Sequence, residues 1–500
     1  MMRWIASLLL ALLCLASMPA QARDWVRAEM PGVVLYSDGY PHELQRWALK
    51  VRLFDALLRQ QFDLTAPDAD LGSPLTVYLL DEGKDVEKLT GLENIHGLYS
   101  PSSEGSFLIA SRAPGYYKDQ LSGQSVLFHE YTHHFMYRHF TSAWPAWYRE
   151  GFAEYAGAVS FDADWNAAVG QPNWPRLKHL NGKPMPLATV LTASVDDFKP
   201  GEKARFYAWS WKLVTLLGAS QDDRYKLQRY LRMYASGTES SEAALAAFGD
   251  LDALEARLHA FVPDPRGGQK IALKAPPAAD IEVTTLDPLE SRLIDLRLGR
   301  MAGKNDKQVL AGLRMFVSAY PGNATARREL ALALMRSNLG EARGQAELAV
   351  SLAPGDSRSQ AILADIAMRQ AKANPATTAA DWDKLRVMLA KAFGSGTRDP
   401  MALSMLFRSY LMEPQPAPPA VHAAMDRALA LQPESYEIRS LAVYSLAMRG
   451  QYGDARQAAE ILASDPHSGM LGKQALDMLG KLQRAAPAAC RPRTTGALAC

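Results

Sequence analysis

The chain alternates between two hydrophobic periods. Near the N-terminus, short apolar runs of strand character punctuate helical patterns. Val33-Val34-Leu35-Tyr36 and Leu75-Thr76-Val77-Tyr78-Leu79-Leu80 read as strands. Gly97-Leu98-Tyr99 and Ser106-Phe107-Leu108-Ile109-Ala110 read as two more around a turn. Helical spacing of apolar positions runs from His42 to Phe62 and again from Gln120 to Phe140. Ser142-Ala143-Trp144-Pro145 breaks the second pattern, and a new helix can start near Ala146. From there the pattern is mainly helical to about residue 265, except between Phe161 and Pro200. That stretch carries two tryptophans and several prolines, and reads either as one wall or lid of a cleft or as a packed surface loop.

The C-terminal part repeats. Pro321, Pro354, Pro400, Pro433 and Pro466 each end an apolar helical pattern, at spacings of 33, 46, 33 and 33 residues. Small and apolar residues recur between them at helical spacing, as in Leu330, Ala331, Leu334, Ala342 and Ala349. The period is close to the 34 residues of tetratricopeptide units, in which small residues let paired helices approach. Five segments follow: a signal peptide over 1–22, an α+β unit over 23–265, a Pro/Ala/Gly/Lys-rich linker over 266–285, helical repeats over 286–482, and a tail over 483–500.

The signal-peptide reading rests on Arg3, the apolar run Trp4 to Ala16, and the Ala20-Gln21-Ala22 cleavage pattern. Leu13 stands before Cys14 where a lipoprotein would carry a small residue. No later run is long enough for a bilayer, so the mature chain is expected to be exported, periplasmic or secreted, without a transmembrane segment. Cys490 and Cys500 can then close a terminal disulfide loop or stay as two thiols. A net charge of +2 with mixed signs and no long basic run gives no sign of nucleic-acid binding.

The chemistry concentrates in one place. His129-Glu130-Tyr131-Thr132-His133 reads H-E-x-x-H. Residues four apart share a helix face, so His129 and His133 can grip one zinc ion. Glu130, about 100° round the helix, is placed to act as base toward water. A catalytic zinc takes a third protein ligand. Glu150 and Glu154, again four apart, can supply that ligand and a carboxylate that orients a ligand histidine from behind. His139 competes, since it stands at the last position of H-E-x-x-H-x-x-G-x-x-H. Met136, however, replaces the turning glycine, and a continuous helix carries His139 about 9 Å further and about 240° round from His133.

With Trp147-Tyr148-Arg149-Glu150-Gly151-Phe152-Ala153-Glu154-Tyr155 and Phe206-Tyr207-Ala208-Trp209-Ser210-Trp211, the motif resembles gluzincins, the thermolysin-like zinc peptidases. It resembles more closely bacterial peptidase-MA-like proteins that carry tetratricopeptide repeats. The resemblance covers residues 30 to 265. It implies a zincin-like α+β domain, zinc on His129, His133 and Glu150, Glu130 as general base, Glu154 in support, and Tyr207 hydrogen-bonding the oxyanion. Tyr148 and Tyr155 are rivals for that role that read as packing residues, and His134 reads as packing or surface. The chain lacks the G-A-M-E-N motif of the aminopeptidase branch, which makes an endopeptidase the default. The expected partners are a peptide or protein substrate, held along the Ser106–Ala110 edge, and a protein partner on the repeats. The rival readings are an envelope scaffold with an inactive peptidase-like domain, and a hydrolase of non-peptide amides.

Overall fold

The computed structural model describes residues 24–64, 72–93, 95–115, 117, 120–264, 268–273, 281–303, 306–393, 397–413, 415–465 and 468–485. The signal peptide, Pro466 and the part of the tail that carries Cys490 and Cys500 lie outside them.

Strand Leu75–Leu80 (β3) shows how the sequence builds the sheet. Leu75, Val77 and Leu79 enter one core and Tyr78 and Leu80 another, so both faces are covered and the run is apolar apart from Thr76. Val33–Ser37 (β2) pairs parallel to one side of β3, and Phe107–Ser111 (β5) pairs parallel to the other. Val26–Met30 (β1) is antiparallel to β2, and Gly97–Ser100 (β4) is antiparallel to β5. The order is β4-β5-β3-β2-β1-β9, the last being Glu282–Thr285, antiparallel to β1. Two expectations are corrected here. The strand near Ser106–Ala110 has no open edge, because β3 and β4 flank it; the edge strand is β4. The linker over 266–285 is not a mere connection: it supplies β9 and also Gln269–Ile271 (β8), which extends the small sheet of Ser160–Phe161 (β6) and Ala167–Val169 (β7).

One sheet face packs on Pro41–Gln61 (α1) and Gly123–His139 (α3), with Phe54 stacked on Phe128 at 4.1 Å. Gly83–Thr90 (α2) flanks β3 and β5. Ala146–Gly157 (α4) crosses α3 and is crossed by Pro200–Gly218 (α7). Between these lie the short helices Trp174–Leu177 (α5) and Leu187–Thr192 (α6). Gln221–Ala235 (α8), Ser240–Phe248 (α9) and Leu251–Ala260 (α10) complete this part. No helix among the described residues is long and apolar enough to cross a membrane.

The second face of the sheet is covered by Pro288–Ala302 (α11), which carries Ile294 and Leu298 onto Trp25, Tyr78 and Leu80. Trp25 seals the contact, donating through Nε1 to Asp295 at 3.0 Å. Helices then pair in sequence: Asp306–Ala319 (α12), Ala324–Leu334 (α13), Leu339–Leu352 (α14), Ser357–Ala373 (α15), Ala379–Phe393 (α16), Pro400–Met412 (α17), Pro419–Leu431 (α18), Tyr436–Met448 (α19), Tyr452–Ala463 (α20) and Met470–Ala485 (α21). Pro321, Pro354 and Pro433 stand in the turns between helices, and Pro400 opens α17. The wide proline spacing is taken up by the long helices α15 and α16 and the residues after them. Asn323, Asn338, Asp356, Asp399 and Ser435 cap the helices that follow.

Arg300, on α11, ties sheet and array together. It donates to Glu329 on α13 at 2.8 Å and to Glu104 beside β5 at 2.8 Å. Glu329 is buried; the cost of burial is offset by Arg300 and Arg297, which hold its carboxyl below the ordinary glutamate range. A depressed carboxyl pKa contributes stability that is complete above the unfolded value and is lost as pH falls through the folded one. Glu329→Gln is expected to lower stability at neutral pH by on the order of 3 kcal/mol. It should also flatten the acid limb of the stability profile. An unchanged urea midpoint at neutral pH would contradict this assignment.

Candidate metal centre

Helix α3 begins at Ser122, whose hydroxyl accepts from the Ser125 amide while Ser125 returns a bond to the Ser122 amide. Its apolar positions, Val126, Leu127, Phe128, Tyr131, Phe135 and Met136, are buried against sheet and helices. That leaves the face of His129 and His133 toward α4, whose Glu150 is fully buried. Two glycines let neighbouring elements close in on α3 and α4. A Cβ on Gly97 of β4 would fall 2.3 Å from Val126 Cγ1 and 3.3 Å from Glu130 Cγ, so the edge strand runs directly beside the general-base candidate. A Cβ on Gly151 would fall 2.4 Å from the Ser210 carbonyl oxygen, so α4 and α7 meet backbone to backbone next to Glu150.

Three side chains converge. His129 Nε2 lies 3.1 Å from His133 Nε2, and each lies 3.6 Å from Glu150 Oε2. Zinc bound at about 2.0–2.1 Å in a tetrahedron sets ligand–ligand edges of about 3.3–3.4 Å. The observed triangle matches that size, and the donor set of two imidazoles and a carboxylate suits zinc. The charge also fits. Glu154, Glu150 and Glu130 act together on His129, and the guanidinium of Arg176 beside Glu154 offsets only part of their charge. Burial opposes a charged His129, yet Glu154, Glu150 and Glu130 raise its pKa to about 10. The field that favours a proton there favours a metal cation too.

Behind the donors stands an orienting layer. Glu154 Oε1 lies 3.3 Å from His129 Nδ1, which assigns the ring proton to Nδ1 and leaves Nε2 to face the other donors. Glu154 is itself held by Arg176 Nη2 at 2.6 Å and Asn173 Nδ2 at 2.8 Å. Burial alone would raise its carboxyl pKa; Arg176 and His129 instead bring it well below the ordinary range. Asn173 and Arg176 come from the irregular stretch over 161–200, which therefore reaches into the site. Sequence reasoning did not find them, because isolated polar residues around the short α5 carry no periodicity. The one signal was electrostatic: two buried carboxylates on α4 require a cation from elsewhere.

The other residues singled out by sequence separate clearly. Tyr207 on α7 joins the site: its ring centroid is 6.3 Å from that of His129, and Arg176 lies 5.6 Å from its ring. Burial, with the nearby carboxylates, keeps its hydroxyl protonated far above the usual range. Glu130 is half-buried on the side facing β4. His139 is not a donor here. Its Nε2 meets Arg59 Nη2 at 3.3 Å, away from the cluster, as a continuous helix requires. His134 is buried, its Nδ1 3.1 Å from the Tyr99 hydroxyl. Tyr148 and Tyr155 stack with Phe152 along another face of α4. That face lines a cavity of about 1610 Å³ between α8 and the array, which contains none of the three donors.

Removing the orienting carboxylate would be felt by a metal held on the three donors. Glu154→Ala is expected to weaken zinc binding about 10- to 100-fold, read by competition with a chromogenic chelator. Parental affinity in that variant would show that His129 needs no orienting partner. Compared with known proteins, the chain matches no family model and no curated protein sequence.

Proposed function

We propose that this chain is an exported zinc-dependent peptidase with a zincin-like, gluzincin-type domain followed by tetratricopeptide-like repeats. The observation that carries the reading is the convergence of His129, His133 and Glu150 within 4.8 Å of one another, beside Glu130 and backed by Glu154. Bound to those three residues, zinc supplies Lewis acidity toward a water and toward the scissile carbonyl.

The chain's own groups account for the remaining chemistry. Glu130 projects next to His129 on the side facing β4, where its carboxylate takes a proton from the attacking water. The same carboxyl oxygen later passes that proton to the leaving amine nitrogen. Tyr207 keeps its hydroxyl proton and can donate a hydrogen bond to the carbonyl oxygen as negative charge develops there. Glu154, fixed by Arg176 and Asn173, keeps the His129 ring in one orientation. Among the described residues β4 ends the sheet, where an extended peptide could add as a further strand, and Gly97 brings β4 close to Glu130. The helical array offers surfaces that recruit a protein substrate or partner.

Glu130→Gln is expected to keep one zinc per chain and to lower peptide hydrolysis by about 10²- to 10⁴-fold. Retention of full activity in that variant would sink the mechanism. His129→Ala and Glu150→Ala should each lose zinc, measured by metal analysis after gel filtration. A parent chain that binds zinc but cleaves nothing, with Glu130→Gln indistinguishable from it, would favour the scaffold reading.

A further inference from the structure

Two buried arginines flank the metal donors without facing them. Arg138 stands at the end of α3, and Arg149 immediately precedes Glu150 on α4. Each turns away from the donors into the helical array. Arg138 Nη1 donates to Glu434 Oε1 at 2.8 Å, and the same oxygen accepts from Ser106 Oγ at 3.1 Å. Glu434 lies in the turn between α18 and α19, beside Pro433. Arg149 donates through Nη1 to Ser464 Oγ at 3.3 Å and through Nη2 to the Ser464 carbonyl oxygen. Ser464 is the cap residue at the C-terminal end of α20. The negative end of the helix dipole lies there, so a guanidinium is favoured.

The two contacts belong to one continuous seam. The Tyr137 and Tyr436 rings meet edge to face at 6.4 Å. Gln432 Nε2 donates to the Ser102 carbonyl oxygen at 2.6 Å, and the Gly72 amide to the Leu431 carbonyl oxygen at 2.9 Å. The turns that close successive repeats thus grip both ligand helices from behind. A buried ion pair such as Arg138–Glu434 adds little net stability over apolar packing of the same volume, but its directed hydrogen bond at 2.8 Å admits only a narrow range of positions for the two partners. Geometry is what a metal site needs, because ligand atoms must be held within about 0.5 Å of their places.

We infer that Arg138 and Arg149 are positioning residues through which the repeat array sets the separation of α3 and α4, and with it the spacing of His133 and Glu150. The inference rests on the metal-centre reading and adds a role for the array beyond recruitment. It also removes the seam from the surface open to partners.

The test uses the full chain. Zinc affinity is measured by chelator competition, well below the unfolding temperature, for the parent, Arg149→Met, Arg149→Lys and Glu434→Gln. Arg149→Met and Glu434→Gln are expected to bind zinc about 10- to 100-fold more weakly, as for loss of other residues supporting metal ligands. Arg149→Lys, which keeps a cation and a donor for the Ser464 carbonyl, should recover most of the affinity. Folded Arg149→Met and Glu434→Gln with parental zinc affinity would overturn the inference. Should Arg149→Met fail to fold, Glu434→Gln decides alone by the same readout. A parent that binds no zinc is a different result: it overturns the metal-centre reading itself.

Discussion

Burying Glu150 and Glu154 on α4 against α3 is the constraint from which the rest of the site follows. A carboxylate taken out of water costs several kcal/mol unless it is paired and hydrogen-bonded. Glu154 meets that demand with Arg176, Asn173 and His129. Glu150 meets it with the two imidazoles, each 3.6 Å from its Oε2, and the proposed dication would complete the charge balance. Each partner comes from a different segment. The irregular stretch after β7 is drawn in to deliver Arg176, and Gly151 lets α7 approach closely enough to bring Tyr207 beside His129. The site is assembled by electrostatic necessity as much as by the H-E-x-x-H motif.

The scaffold holds this charged cluster from two sides. In front, β5 and β4 pack against α3, with β4 running beside Glu130. Behind, the array contributes an acceptor to each ligand helix, at Glu434 and Ser464. The return of β9 to the sheet and the seating of α11 on its second face mean that the two halves share cores. A helical array so attached differs from a flexible recruiting arm: its turns are part of the body that carries the site.

How much of this was legible in the sequence depended on whether the signal was local. The run Leu75–Leu80 shows β3 because both of its faces are apolar, and the new helix at Ala146 follows from Pro145. His129, His133, Glu150 and Glu154 were legible because each pair is four apart on one helix. β9 was not, since Glu282, Thr284 and Thr285 are exposed and carry no hydrophobic period. β1 was missed although Val26, Ala28 and Met30 alternate correctly, because five residues with two charges make a weak pattern. Arg176, and the partners of Arg138 and Arg149, were out of reach for another reason. Contacts across about 20 to 300 residues leave no spacing to read, only a charge that needs an answer.

The most direct test is zinc K-edge X-ray absorption on the zinc-loaded full chain. A first shell of nitrogen and oxygen only, at about 2.0–2.2 Å, with outer-shell scattering from two imidazoles, is the result expected of His129, His133 and Glu150. A sulfur shell near 2.3 Å, or three imidazoles, would place the metal on other residues and contradict the account.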